Sequence, residues 1–186
     1  MTVTPDLDRR FRDAAAAEGL LDVGFDVVDS PIGPLLVAAT NRGLARIFFD
    51  AEPELHLDRL AKAYGPRVLR SASSVGSAHR QLDEYFAGAR NSFELDVDLR
   101  GAAPFAQQVL DELARVPYGQ TTTYGTLAAK VGAPRAARAV GTVMHRNPIP
   151  IVLPCHRVVG TNGSLTGSAG GLDVKERLLR LEGAIL

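Results

Sequence analysis

The single cysteine of this 186-residue chain, Cys155, stands in the run Pro154-Cys155-His156-Arg157-Val158. A thiol reacts as its thiolate, and a neighbouring base or positive charge lowers its pKa. A cysteine beside a histidine and an arginine therefore has the makings of an activated nucleophile. The same tripeptide also fits a buried, inert core cysteine, and residues adjacent in sequence need not touch productively. The approach to Cys155 is Asn147-Pro148-Ile149-Pro150-Ile151-Val152-Leu153-Pro154. Each residue before a proline is pushed out of the helical region, so this lead-in must be extended and stiff. One cysteine allows no internal disulfide, fits a reducing compartment and is too few for a cysteine-type zinc site. No metal and no cofactor are expected.

A second group of residues lies just upstream. Residues 134–145, PRAARAVGTVMH, read as a helix carrying Ala136, Ala137, Ala139, Val140 and Gly141 around one arginine, Arg138. Small side chains let a helix lie close against DNA, and a lone arginine can enter a groove or the base stack. An alanine-rich helix packed tightly on another helix would look the same. The preceding segment, 123–131, reads as a helix with a threonine cap and a Gly132-Ala133-Pro134 stop. Two short helices joined by such a turn match the helix-turn-helix pattern.

Charge supports a site for an anion or nucleic acid. The chain is neutral, but residues 1–100 hold 12 basic and 16 acidic residues, and residues 101–186 hold 9 and 5. No acid occurs between Leu113 and Leu172, a stretch with Arg115, Lys130, Arg135, Arg138, Arg146 and Arg157. A basic zone inside a neutral chain marks a partner of negative charge, or else a mildly basic solvated face.

The rest of the chain must position these groups. Hydrophobic residues make up 46% and charged residues 23%, which places the chain among soluble globular proteins. No apolar run approaches the roughly 20 residues of a membrane helix. The charged N-terminus lacks an apolar signal core, so the expected location is the cytoplasm. Residues 1–22 read as a polar helical extension. Alternation between turn signals gives three antiparallel strands within 24–50, then helices near 52–64 and 74–87, then a fourth strand at 92–99, SFELDVDL. The expected fold is α+β: a small antiparallel-sheet-plus-helix domain over 23–100, then a mainly helical domain with a helix-turn-helix over 101–186.

Three segments together, PYGQTTTYGTLAAKVGAPRAARAVG, RNPIPIVLPCHRVVG and GSLTGSAGGLDVKERLLRLEG, resemble the O6-alkylguanine-DNA alkyltransferase family. The likeness runs from about Pro104 to Gly183, and residues 23–99 resemble that family's variable N-terminal domain more weakly. The resemblance implies irreversible, single-turnover transfer of an alkyl group from O6-alkylguanine in double-stranded DNA to Cys155. O4-alkylthymine is a second candidate substrate. It implies no cofactor and a monomer, with cooperative binding along DNA left open. It implies His156 as the base that takes the thiol proton through a water, and Glu182 as the carboxylate orienting His156. Asn147 matches the residue tying the recognition helix to the active-site segment. Tyr124 matches a tyrosine beside the flipped nucleotide, and Arg138 the finger that fills the gap in the stack. Ala136 and Ala137 match the close-approach positions, and Val158 matches the backbone carbonyl that receives the guanine amino group. Lys175 matches a lysine near the active-site loop. Arg157 is counted with the basic groups facing DNA. Ser168 departs from the family, which commonly has a tyrosine there to hydrogen-bond the guanine O6; the Ala169 backbone N–H then becomes the expected donor. Two other readings stand beside this one. A non-catalytic lesion binder or helix-turn-helix regulator would lack the cysteine, and a thiol hydrolase using Cys155 and His156 would turn over.

Overall fold

The computed structural model describes residues 4–167 and 169–186. The chain forms two compact units. One comprises the chain up to Glu84 with Glu94–Gly101, the other Tyr85–Phe93 with Ala102–Leu186.

The first unit is α+β. Helix α1 (Pro5–Ala17) precedes three strands, β1 (Val23–Val28), β2 (Leu35–Thr40) and β3 (Gly43–Phe48), which pair antiparallel as the alternation predicts. Helix α2 (Leu57–Tyr64) follows a 3-10 turn at Pro53–Leu55, so the helix expected from residue 52 begins later. Strand β4 (Val68–Arg70) and helix α3 (Ala72–Phe86) complete the run. The sheet order is β3-β2-β1-β4, with β4 parallel to β1. Val23, Phe25, Leu36, Ala38 and Ala45 pack on Leu60 and Tyr64 of α2. Burying each of the valine, phenylalanine and leucine side chains stabilises by about 1.5–3 kcal/mol.

Residues 92–99 are not the expected fourth strand. They are extended but bridge the sheet at one residue only. The Leu44 N–H donates to the Asp96 carbonyl (2.8 Å), and the Asp98 N–H donates to the Leu44 carbonyl (2.8 Å). The Asp98 side chain turns inward, where the Thr40 hydroxyl (2.6 Å) and Arg100 Nε (2.9 and 2.8 Å) meet its carboxylate. Burying that charge requires these donors, so the segment follows the pocket and not a strand ladder. The true fourth strand, β4, has three residues, too few to show a period.

The second unit is mainly helical. Helices α4 (Pro104–Ala114), α5 (Tyr124–Lys130) and α6 (Ala137–His145) pack on one another through Val109, Leu110, Leu113, Leu127, Ala128, Val140 and Met144. The Thr123 side chain caps α5 by accepting the Thr126 N–H (3.1 Å). Because Pro134-Arg135 lie in a turn, α6 starts at Ala137, and α5-turn-α6 is a helix-turn-helix. Two-residue strands β5 (Thr122–Thr123) and β6 (Val158–Val159) pair in parallel, and α7 (Gly171–Leu181) closes the chain. No helix among the described residues is long and apolar enough to cross a membrane.

One packing detail is directly testable. A Cβ on Gly24 of β1 would stand 2.3 Å from Ser74 Cβ of α3, so the helix can lie that close only over glycine. Gly24→Ala should cost about 1–3 kcal/mol by overpacking. In denaturant melts, Ser74→Gly should recover part of that loss in the double variant, and strict additivity would show that the two positions do not collide.

Candidate active site

Cys155 is delivered by a strained, cross-tied segment. Beyond α6, Asn147 Nδ2 donates to the Leu153 carbonyl (2.7 Å), and Asn147 Oδ1 accepts the Ile149 N–H (3.1 Å). The Leu153 N–H closes the same turn on the Ile149 carbonyl (2.9 Å). At its centre Ile151 has φ of 76°, a left-handed conformation that a β-branched residue rarely adopts. Such strain costs about 1–3 kcal/mol and persists only where the surroundings over-determine it. Here Pro150, the Asn147 bonds and complete burial of Ile149 and Ile151 do so. The chain then enters a 3-10 turn, Cys155–Arg157, with the Cys155 N–H on the Leu153 carbonyl (2.8 Å). Cys155 and His156 are each only 1% exposed.

Glu182, the C-cap of α7, is the hub beside this turn. Its carboxylate is fully buried and accepts from four residues. Arg157 donates Nε to Oε2 (2.9 Å) and Nη2 to Oε1 (2.8 Å). The Tyr85 hydroxyl donates to Oε1 (2.7 Å) and the Gly119 N–H to Oε2 (3.3 Å). His156 Nε2 lies 2.8 Å from Oε1. Burial pushes the carboxyl up, but the hydrogen bonds from His156 and Arg157 outweigh it and hold it at about 2.

An anionic carboxylate only accepts, so the proton of that contact belongs to His156 Nε2. In the neutral ring, Nδ1 is then the acceptor, and Nδ1 is buried with no hydrogen-bond partner from the protein. Burial lowers the His156 pKa below its ordinary value, aided by the charges of Arg157 and Lys175, with Glu182 opposing. Burial, and then Glu182, push the Tyr85 hydroxyl far above its usual range, so it stays a neutral donor.

Lys175, fully buried on α7, donates to the Val158 carbonyl and to the Thr166 carbonyl (2.7 Å). Burial pulls it down to about 8, against the attraction of Cys155. The Tyr124 hydroxyl donates to the Thr166 (2.8 Å) and Gly167 (3.2 Å) carbonyls, so two side chains grip the loop before α7. Ala169 is partly buried beside it, and Ser168 lies outside the described residues.

The six basic residues of the acid-free stretch sort into three kinds. Arg115 (2.7 Å) and Lys130 (3.0 Å) pair with Glu112. Arg157, expected among the basic groups facing DNA, is buried instead. It is 6% exposed, and its guanidinium is spent on Glu182 and the Val116 carbonyl (2.5 Å). A charge count along the sequence cannot see a partner 25 residues away. Arg135, Arg138 and Arg146 are exposed, without ion pairs among the described residues, and flank the two ends of α6. Arg138 occupies the first turn of α6 next to Ala136 and Ala137, both partly buried.

Two members of the site have no sequence signal of their own. Gly119 reads only as a helix breaker. Its φ of +72°, with a would-be Cβ 3.0 Å from the Glu182 carbonyl, is what turns its N–H onto the carboxylate. Tyr85 reads as one more apolar residue of a helix.

Comparison with known proteins identifies the family. Residues 104–184 match the DNA binding domain of 6-O-methylguanine DNA methyltransferase, and residues 24–99 match its ribonuclease-like domain. A methylated-DNA–protein-cysteine methyltransferase of Methanosarcina acetivorans is 42% identical over 161 residues, covering 86% of this chain and 98% of the relative. One of Mycobacterium tuberculosis is 41% identical over 163 residues, covering 86% and 92%. The crystal structure of Mycobacterium tuberculosis OGT in complex with DNA superposes with a TM-score of 0.74 at 38% identity, over 87% of this chain and 93% of that one. Matched in both units and along most of its length, the chain belongs to the 6-O-methylguanine DNA methyltransferase family.

Proposed function

We propose that Cys155 is the alkyl acceptor of this methylated-DNA–protein-cysteine methyltransferase, that His156 is its base, and that the substrate is O6-alkylguanine turned out of duplex DNA. The observation that carries this reading is the Glu182 carboxylate bound to His156 Nε2, which leaves the buried, unpartnered Nδ1 as a proton acceptor on the residue that follows the chain's one cysteine. This is the nucleophile–base–orienter logic of a hydrolytic triad applied to a displacement at carbon.

The step balances without a cofactor. The thiol proton leaves Sγ for His156 Nδ1 through a water. The S–C bond forms as the C–O6 bond breaks, and the electron pair stays on the guanine. The guanine takes up one proton and leaves as the ordinary base. Donors aimed at O6 help the transition state more than the ground state, because charge grows there. The backbone N–H of Ala169, on the loop before α7, is the candidate donor. The Val158 carbonyl, although it already accepts from Lys175, keeps a second lone pair for the guanine amino group. O4-alkylthymine offers the same alkyl–oxygen bond to the thiolate. A thioether is not cleaved by water, so each molecule acts once, and every group of the constellation comes from one chain.

The target base must be extruded to bring its alkyl carbon in line with sulfur. Arg138, exposed on a helix start lined by alanines, is suited to fill the gap, and Tyr124 to meet the flipped nucleotide. Arg135 and Arg146 supply phosphate contacts, which position without reading sequence. A pure lesion binder needs no cysteine with a dedicated base.

The direct experiment is mass spectrometry after incubation with O6-methylguanine duplex. We expect one methyl group per chain, mapped to Cys155, and no further reaction with excess DNA. Repeated turnover, or a methyl group elsewhere, would refute the assignment. For Arg138→Ala, we expect near-normal reaction with free O6-benzylguanine but duplex repair slowed by about tenfold or more, since only the duplex requires extrusion. Equal losses on both substrates would place Arg138 in the chemistry or the fold.

A further inference from the structure

Tyr85 is fully buried at the end of α3, and its ring is locked by Phe86 (5.3 Å, edge-on), Phe93 (5.4 Å) and Tyr118 (6.0 Å, edge-on). A buried phenol needs an acceptor, and any backbone carbonyl would do. The other three tyrosines take that route: Tyr64 to Ala45, Tyr118 to Leu181, Tyr124 to Thr166 and Gly167. Tyr85 instead donates to the carboxylate oxygen that also accepts from His156 Nε2.

We propose that Tyr85 is a positioning residue for alkyl transfer: its hydroxyl holds Glu182 Oε1 and limits how strongly that oxygen draws on His156. Oε1 accepts from Tyr85, His156 and Arg157 Nη2 within 2.8 Å. A carboxylate oxygen has about two lone-pair sites, so the three donors share them. Each donor that neutralises Oε1 weakens its pull on the His156 proton. Tyr85 thereby helps keep His156 neutral, the form a base needs.

The charged groups that face His156 are Arg157 from its own turn, and Lys175 and Glu182 from α7. Tyr85 and Tyr118 come from α3 and the loop before β5. Arg157 is always charged. Lys175, pulled down to about 8 by burial, stays charged across the acid range. Removing the Tyr85 hydroxyl leaves more of the Oε1 charge for His156, which favours imidazolium and moves its protonation to higher pH. The acid limb of the rate must move the same way.

This inference rests on Cys155 as acceptor and His156 as base. The test compares the wild-type chain, Tyr85→Phe and Tyr118→Phe in two readouts: the ring ¹⁵N titration of His156, and single-turnover repair of O6-methylguanine duplex against pH. In Tyr85→Phe, both midpoints should rise together by about half to one pH unit. In Tyr118→Phe, which loses a hydroxyl bound to a carbonyl in the same aromatic cluster, neither should move. Site-specific 3-fluorotyrosine at position 85 keeps the packing, donates more strongly and should lower both midpoints, so the direction is tested even if Tyr85→Phe folds poorly. Unmoved midpoints in Tyr85→Phe, or equal shifts in Tyr118→Phe, would overturn the proposal. Mass analysis of the product separates the two failures: an alkyl group off Cys155 refutes the reading of the site, whereas alkylated Cys155 with unmoved midpoints refutes the role of Tyr85 alone.

Discussion

The active unit is organised around one buried negative charge. An unpaired carboxylate in a water-free interior is costly, and it is tolerated only when its lone pairs are met. Glu182 meets that condition with four donor residues from three places in the chain: Tyr85 in the last turn of α3, Gly119 in its loop, and His156 and Arg157 of the 3-10 turn that begins at Cys155. The same contacts that make the charge tolerable fix the cysteine-bearing turn against the C-cap of α7. Removing one partner of such a pair costs about 3–5 kcal/mol, so the architecture and the chemistry stand or fall together. Arg157 is thus as much a part of the site as His156, although its guanidinium is spent on Glu182 and the Val116 carbonyl.

The second constraint is the approach to the thiol. Ile151 holds an unfavourable backbone conformation because Asn147 ties both sides of the turn, joining the end of α6 to the segment that presents Cys155. The helix that carries Arg138 and the segment that presents Cys155 are therefore held by one side chain. Rigid presentation matters for a displacement, in which sulfur, carbon and leaving oxygen must align.

Much of this was legible in the sequence, and the failures have physical causes. The first three strands declared themselves through alternation between turn residues, and the threonine cap marked α5. The Pro-rich lead-in announced an extended segment before Cys155, but not its left-handed kink, which depends on an asparagine folding back across six residues. Residues 92–99 alternate as a strand does, because an extended segment packed on one face has the same period whether it pairs at one residue or at six. Arg157 counted as a DNA-facing charge because linear charge runs ignore buried partners. Tyr85 could not be recognised, since its role exists only once α3 ends against Glu182.

The central claim is that burial keeps His156 neutral and Glu182 fixes its proton on Nε2, with Nδ1 free for the thiol proton. Two-bond ¹H–¹⁵N correlation spectra of the unreacted protein at neutral pH read this directly. The expected spectrum shows a neutral His156 with a protonated Nε2 and an unprotonated Nδ1, and loss of that pattern in Glu182→Gln. A charged imidazolium, or a ring protonated at Nδ1, would contradict it, because neither form leaves Nδ1 free to take the proton of Cys155.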